Sequence, residues 1–306
     1  MRLSGYWQRI GFNLLRQQSE SCLRRVLRLI IVSASGGEIL KWKGGSMVTW
    51  IALLGAGILC GFLNVAASSG SAISLPILLA LGMPPAIANG TNRLPVLVGM
   101  ATAIWRFQKS NAIPWRLCLR LLPALLISAL VGAQMAAMLP MEQIRVLVRI
   151  AVVLALVLLL IKPQRWLRDG DPESTQHNPS LTLIGLTAGI GLWNGLIVLD
   201  SGTYLLMSLV MVGGLALQQA SAVKAVLLGA ATVVTLAVFI DSGQVAWWAA
   251  WPLMLGSALG GWLGALLALG PNSRIWIYRL LIAALALELV AMVFGWQHPA
   301  MRMLKV

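Results

Sequence analysis

The chain is short of charge. Only 10% of its 306 residues are Asp, Glu, Lys or Arg, against about 25% in a soluble domain. A water-facing surface cannot be built from so few charges, which excludes a soluble globular protein. Acids are the scarcest, with nine Asp and Glu against 23 Lys and Arg. There are two histidines, His177 in a polar stretch and His298 near the C-terminus, and both lie outside the apolar segments. The common metal-centre and triad arrangements are therefore absent. The three cysteines, Cys22, Cys60 and Cys118, are too far apart for a metal-ligand pair, a redox pair or a disulfide framework. No nucleotide-binding loop occurs. The sequence thus reads as neither an enzyme nor a cofactor or metal protein.

What is present is apolar. Hydrophobic residues make up 59% of the chain, and the mean hydropathy is +0.85. Apolar stretches run over roughly 48–82, 86–107, 114–139 and 143–161, then 182–215, 219–240, 245–269 and 274–295. A membrane span needs about 20 such residues. Most stretches fit one span, but the first of each set is too long for one straight helix. Each is interrupted by small polar residues, Ser68-Ser69-Gly70-Ser71 and Asp200-Ser201-Gly202-Thr203. Broken helices are tolerated at that depth only against protein or a wet cavity.

The two sets repeat. A shift of 132 superposes Gly57 on Gly189, Ser69 on Ser201, Gly70 on Gly202, Gly82 on Gly214, Phe107 on Phe239, Trp115 on Trp247 and Gly132 on Gly264. Duplicated halves are a transporter signature, with the site at the repeat interface near mid-membrane. The expected architecture is an all-α polytopic membrane protein with two repeats of four spans each, the first span of each broken. Residues 1–46 form a basic cytoplasmic leader, 47–161 the first repeat, 162–181 a cytoplasmic linker, 182–296 the second repeat and 297–306 a tail. The net charge of +14 lies mostly in short loops and the leader. That fits the positive-inside bias, with both termini cytoplasmic in a bacterial-type inner membrane, rather than nucleic-acid binding. One net crossing per broken segment makes the repeats parallel. The alternative, five crossings per repeat, makes them inverted and puts the basic 106–116 loop outside.

Two bases sit deep in apolar stretches. Arg93 follows Asn89, Thr91 and Asn92, and Lys224 follows Ser221 in the second half. On a helix Asn89, Asn92 and Arg93 share one face. A buried arginine with two amides offers a fork of donors suited to an oxyanion, Thr91 adds a hydroxyl, and Lys224 adds a second positive charge. Half-helices starting at Gly70 and Gly202 would aim their N-terminal dipoles inward, which also favours an anion. The candidate substrate set is Asn89, Thr91, Asn92, Arg93, Ser221, Lys224, Ser69, Gly70, Ser201 and Gly202. Asp200 is assigned to charge pairing with a base or to coupling. Polar glue between helices is the competing role for the asparagines. Glu288 is expected to hydrogen-bond between helices.

The runs A-N-G-T-N-R at 88–93 and R-F-Q-K-S-N-A-I-P-W at 106–115, with Q-A-S-A-V-K at 219–224, S-G-Q-V-A-W at 242–247 and G-S-A-L-G-G-W-L-G at 256–264, resemble the TauE/SafE sulfite-exporter family of membrane transporters. The resemblance covers roughly residues 51–294. It implies two four-span halves and export of a small sulfur-containing anion, such as sulfite or a sulfonate, with Asn89, Thr91, Asn92, Arg93 and Lys224 facing the substrate. The chain departs from the family's glycine-rich pattern at Ser68-Ser69-Gly70 and Asp200-Ser201-Gly202, and has Ser221 where asparagine is frequent. The expected partners are a small anion and the lipid bilayer. The competing readings are a transporter of another small anion or metabolite, and a non-transporting assembly or sensor subunit. Self-association into a homo-oligomer is left open.

Overall fold

The computed structural model describes residues 47–138, 179–197 and 200–294. The expected leader, the 143–161 span, the 162–178 part of the linker, the C-terminal tail and the Glu288 side chain lie outside the described residues.

Every regular element among the described residues is a helix: α1 (Met47–Ala66), α2 (Ser71–Ala80), α3 (Pro85–Lys109), α4 (Trp115–Met138), α5 (Leu181–Leu196), α6 (Ser201–Met211), α7 (Leu217–Asp241), α8 (Trp247–Leu269) and α9 (Ser273–Phe294). Four of them, α1, α4, α7 and α8, are long and apolar enough to cross a bilayer. At 25 residues α3 is long enough too; its Asn89–Arg93 run is what lowers its hydropathy. Pro84 precedes α3 and Pro85 opens it, where the missing N–H costs nothing.

The offset seen in the sequence recurs in the backbone. The bounds of α3, Pro85 and Lys109, lie 132 residues before those of α7, Leu217 and Asp241. Six described residues have positive φ, and they form three pairs at that spacing: Ser68 and Asp200, Gly82 and Gly214, Asn111 and Gly243. Upstream of the breaks the register changes. Gly57 is pressed against the backbone of Leu253, whereas Gly189 has open space around it. The matching environments there are Gly61 with Gly191 and Asn64 with Asn194, 130 residues apart. Both breaks hold four residues, 67–70 and 197–200, but the asparagine and the positive-φ residue are four apart in the first half (Asn64, Ser68) and six apart in the second (Asn194, Asp200).

The expectation of one net crossing for each broken segment is corrected by the path of the chain. Gly70 N–H donates to the Asn64 side-chain oxygen at 3.0 Å, and Ser74 Oγ reaches Cys60 Sγ at 3.3 Å. A continuous helix would put residues 60 and 74 about 21 Å apart. Leu78, further along α2, packs in one cluster with Leu53 and Ala56 of α1. The chain therefore turns back at Ala67–Gly70, and α2 runs down the side of α1. The second break also folds back, bringing the Trp193 and Tyr204 rings to 6.4 Å edge-to-face. A run of small residues has the same composition whether the chain bends slightly or reverses, so sequence alone did not separate the two.

The reversal inverts the halves. The glycines at 256, 260 and 264 meet the carbonyls of Leu54, Ile58 and Phe62 in step, so α8 runs parallel to α1. Gly191 meets Leu125 and Gly195 meets Ala129, so α5 runs parallel to α4. These stripes let helix backbones approach closely, the usual packing device in lipid. By contrast α3 and α7 are antiparallel: Gly90 packs on Phe239, Arg93 bonds Thr235, and Gly229 faces Ile104 and Met100. Helices in equivalent sequence positions thus run in opposite directions.

Candidate functional site

The breaks meet inside the protein. Ser69, in the first, donates to the Asp200 carboxylate, in the second, at 3.1 Å. Beside this contact lies a small cavity, with room for about one water molecule. The first half lines it with Asn64, Ser68, Val96 and Met100, and the second half with Asn194, Ser201, Gly202 and Leu228. Val96 and Leu228 are equivalent at the 132 spacing. One wall is polar, made of the breaks. The other is apolar, made of α3 and α7.

Asn64 and Asn194 shape the polar wall. Each is the last polar residue of its helix before the break, and each spans the turn. Asn64 accepts from Gly70 N–H and donates to Cys60 Sγ at 3.4 Å. Asn194 donates to Ser201 Oγ at 2.8 Å. Gly70 must be glycine, because a Cβ there would meet the Cys60 carbonyl and the Asn64 amide.

The two buried bases hold the ends of the helices before the breaks, each on the other half. Lys224, on α7, donates to the carbonyls of Asn64 and Val65 at 3.0 and 2.8 Å and to Ser68 Oγ at 2.8 Å. Three acceptors match the three N–H of an ammonium. Arg93, on α3, donates to the carbonyls of Asn194 and Gly195 at 3.1 and 2.8 Å and to Thr235 Oγ1 at 2.7 Å. Its guanidinium lies 4.4 Å over the Phe239 ring, and its Nε is buried without a partner. Both side chains are 0% exposed. They sit at the C-terminal ends of α1 and α5, where the last turn of a helix leaves carbonyls unsatisfied and negative.

The other predicted residues are distributed around this core. Asn89 Nδ2 donates to the Leu196 carbonyl at 3.4 Å, the third contact of α3 to the end of α5. Asn92 accepts from Ser74 Oγ, which ties α3 to α2. Thr91 Oγ1 accepts from Ala246 N–H at 2.8 Å, outside the cavity wall. Ser221 bonds back to the Leu217 carbonyl of its own helix at 2.8 Å. Ser201 and Gly202 line the cavity, Gly70 lies behind Asn64, and Ser69 bridges to Asp200. Sequence reasoning missed Asn64, Asn194, Ser68, Val96, Met100 and Leu228. The motif Gly-x-x-Asn, at Gly61–Asn64 and again at Gly191–Asn194, was the available signal.

Comparison with known proteins agrees with a transport fold. The sulfite exporter TauE/SafE family matches residues 53–292. A probable membrane transporter protein of Haemophilus influenzae is 26% identical over 247 residues, 79% of this chain and 94% of its own. A second, ORF9 of a Sinorhizobium species, is 26% identical over 76% of this chain and 88% of its own. The probable membrane transporter protein YfcA of Escherichia coli K12 is 24% identical over 71% and 80%. No solved structure matches the chain.

Proposed function

Because the chain belongs to the sulfite exporter TauE/SafE family and is thus a membrane transporter rather than an enzyme, we propose that it is a secondary transporter moving a small anion outward by alternating access, with sulfite and short sulfonates as its first candidates. The observation that carries this reading is the cavity where the breaks of the two halves meet, each break held by a fully buried base of the other half. Transporters built from two halves of opposite direction bind solute at the interface of the halves and alternate by rocking one against the other. In its present state the cavity is closed and small, so admitting a solute requires the breaks to separate. The contacts that would change are those that join the halves there: Ser69 to Asp200, Lys224 to the end of α1, and Arg93 to the end of α5.

That both inverted repeats are complete, each crossing the membrane an odd number of times, belongs to this proposal, with the apolar stretch 143–161 as the sequence counterpart of 274–295 in the second half. So does the orientation. Arg106, Lys109 and Arg116 flank the α3–α4 turn, while the opposed α7–α8 turn carries Asp241. We place the α3–α4 turn in the cytoplasm of an inner membrane. That puts the start of α1 on the outer face, opposite to where the bases of the leader would put it. A membrane potential, negative inside, then favours outward anion movement by about 2.3 kcal/mol per charge per 100 mV.

The experiment is radiolabelled sulfite flux from proteoliposomes. Flux above that of protein-free vesicles, lost in Arg93→Gln and Lys224→Gln that still fold, supports the reading. Equal flux with and without protein, across sulfite, sulfonates and carboxylates, removes it.

A further inference from the structure

We infer that the site is built for a solute carrying one negative charge and discriminates against a dianion of the same size. This deepens the anion-transport reading above and rests on it. Among the described residues three charged side chains are buried: Arg93, Lys224 and Asp200. All three stand directly behind the cavity wall. Lys224 bonds the lining residues Ser68 and Asn64, Arg93 bonds the carbonyl of the lining Asn194, and Asp200 adjoins the lining Ser201. With all three ionised, two positive charges and one negative leave an excess of one positive charge.

The helix ends at the cavity do not supply a second positive charge. Asn64 and Asn194 in its lining stand at the negative carbonyl ends of α1 and α5, while Ser201 and Gly202 open α6 at its positive end. The three contacts of Lys224 Nζ, two of them to carbonyls that can only accept, match the three N–H of an ammonium. In an interior that screens poorly, a bound monoanion brings the local sum to zero. A dianion leaves an unbalanced negative charge away from water, which is disfavoured. Asp200 is then a specificity residue: without its carboxylate the bases alone would balance a dianion.

Methanesulfonate and sulfate test this, since both are tetrahedral about sulfur and differ by a methyl group in place of a charged oxygen. Initial rates are measured in proteoliposomes of the full chain with the membrane voltage clamped at zero. The wild type is expected to favour methanesulfonate by about tenfold or more, and Asp200→Asn is expected to move the ratio toward sulfate by about tenfold. Equal wild-type rates overturn the inference while leaving anion transport standing. So does a ratio unchanged in a folded Asp200→Asn. If neither anion moves and sulfite does not either, the transport reading fails and this inference fails with it. Should Asp200→Asn not fold, the wild-type comparison alone decides.

Discussion

Ser69 and Asp200, 131 residues apart in sequence, join the two breaks through one 3.1 Å hydrogen bond. The donor is a neutral hydroxyl and the acceptor a buried carboxylate, and a bond to a charged group contributes about 1.5–3 kcal/mol. Ser69→Ala is therefore expected to lower stability in detergent by about that amount. Ser201→Ala, which removes a neutral partner of Asn194, is expected to cost nearer 1 kcal/mol. Thermal unfolding of the two variants checks the order, and an equal or reversed order would deny Asp200 its charge.

Lys224 is as much a helix cap as a binding group. Lys224→Met keeps most of the side-chain volume but orphans the carbonyls of Asn64 and Val65. A loss of about 2–3 kcal/mol in stability is expected, along with loss of flux. Arg93→Lys keeps the charge but cannot reproduce a fork onto two carbonyls and Thr235. Flux is expected to fall by about tenfold or more while the protein stays folded. Wild-type flux in Arg93→Lys would show that charge alone suffices.

Two glycines paired by the 132 spacing should respond in opposite ways. A Cβ on Gly57 would enter the backbone of Leu253, whereas Gly189 has nothing within reach. Gly57→Ala is expected to cost about 1–3 kcal/mol. Gly189→Ala is expected to be neutral or to stabilise by up to about 1 kcal/mol, through helix propensity. Unfolding midpoints of the pair test the register change upstream of the breaks.

The reversal of the chain puts the α3–α4 and α7–α8 turns on opposite faces. Cysteines introduced at Ser110 and at Ser242 should react with an impermeant maleimide from opposite sides of oriented vesicles, with Ser242→Cys labelled from outside. The native Cys60 and Cys118 are buried and give little background, and the third cysteine, Cys22, is replaced by serine in both variants. Labelling of both from one side would restore the parallel arrangement.

Much of this architecture was legible in the sequence. Apolar stretches marked α3, small polar residues interrupting the long ones marked the breaks, and matched Gly, Trp and Phe residues located the offset. Arg93 and Lys224 stood out because a charge in an apolar stretch is costly and rarely accidental. Their partners were not legible, since a backbone carbonyl leaves no mark in the sequence. Asn64 and Asn194 were missed because two more residues separate the asparagine from the positive-φ residue in the second half, which shifts the register by two, and a search at a fixed 132 pairs Asn64 with Leu196 instead. The reversal was hidden for a different reason: what turns the chain at Gly70 is a contact with Cys60 and Asn64, not the composition of the turn.

The most direct test of the account is whether the cavity between the breaks lies on the transport path. Ser201 lines it and is buried, so Ser201→Leu fills it with apolar volume. Sulfite flux is measured in proteoliposomes for wild type, Ser201→Ala and Ser201→Leu, each first shown to unfold cooperatively. The account predicts that Ser201→Ala still transports and Ser201→Leu does not. Wild-type flux through a folded Ser201→Leu protein would contradict it.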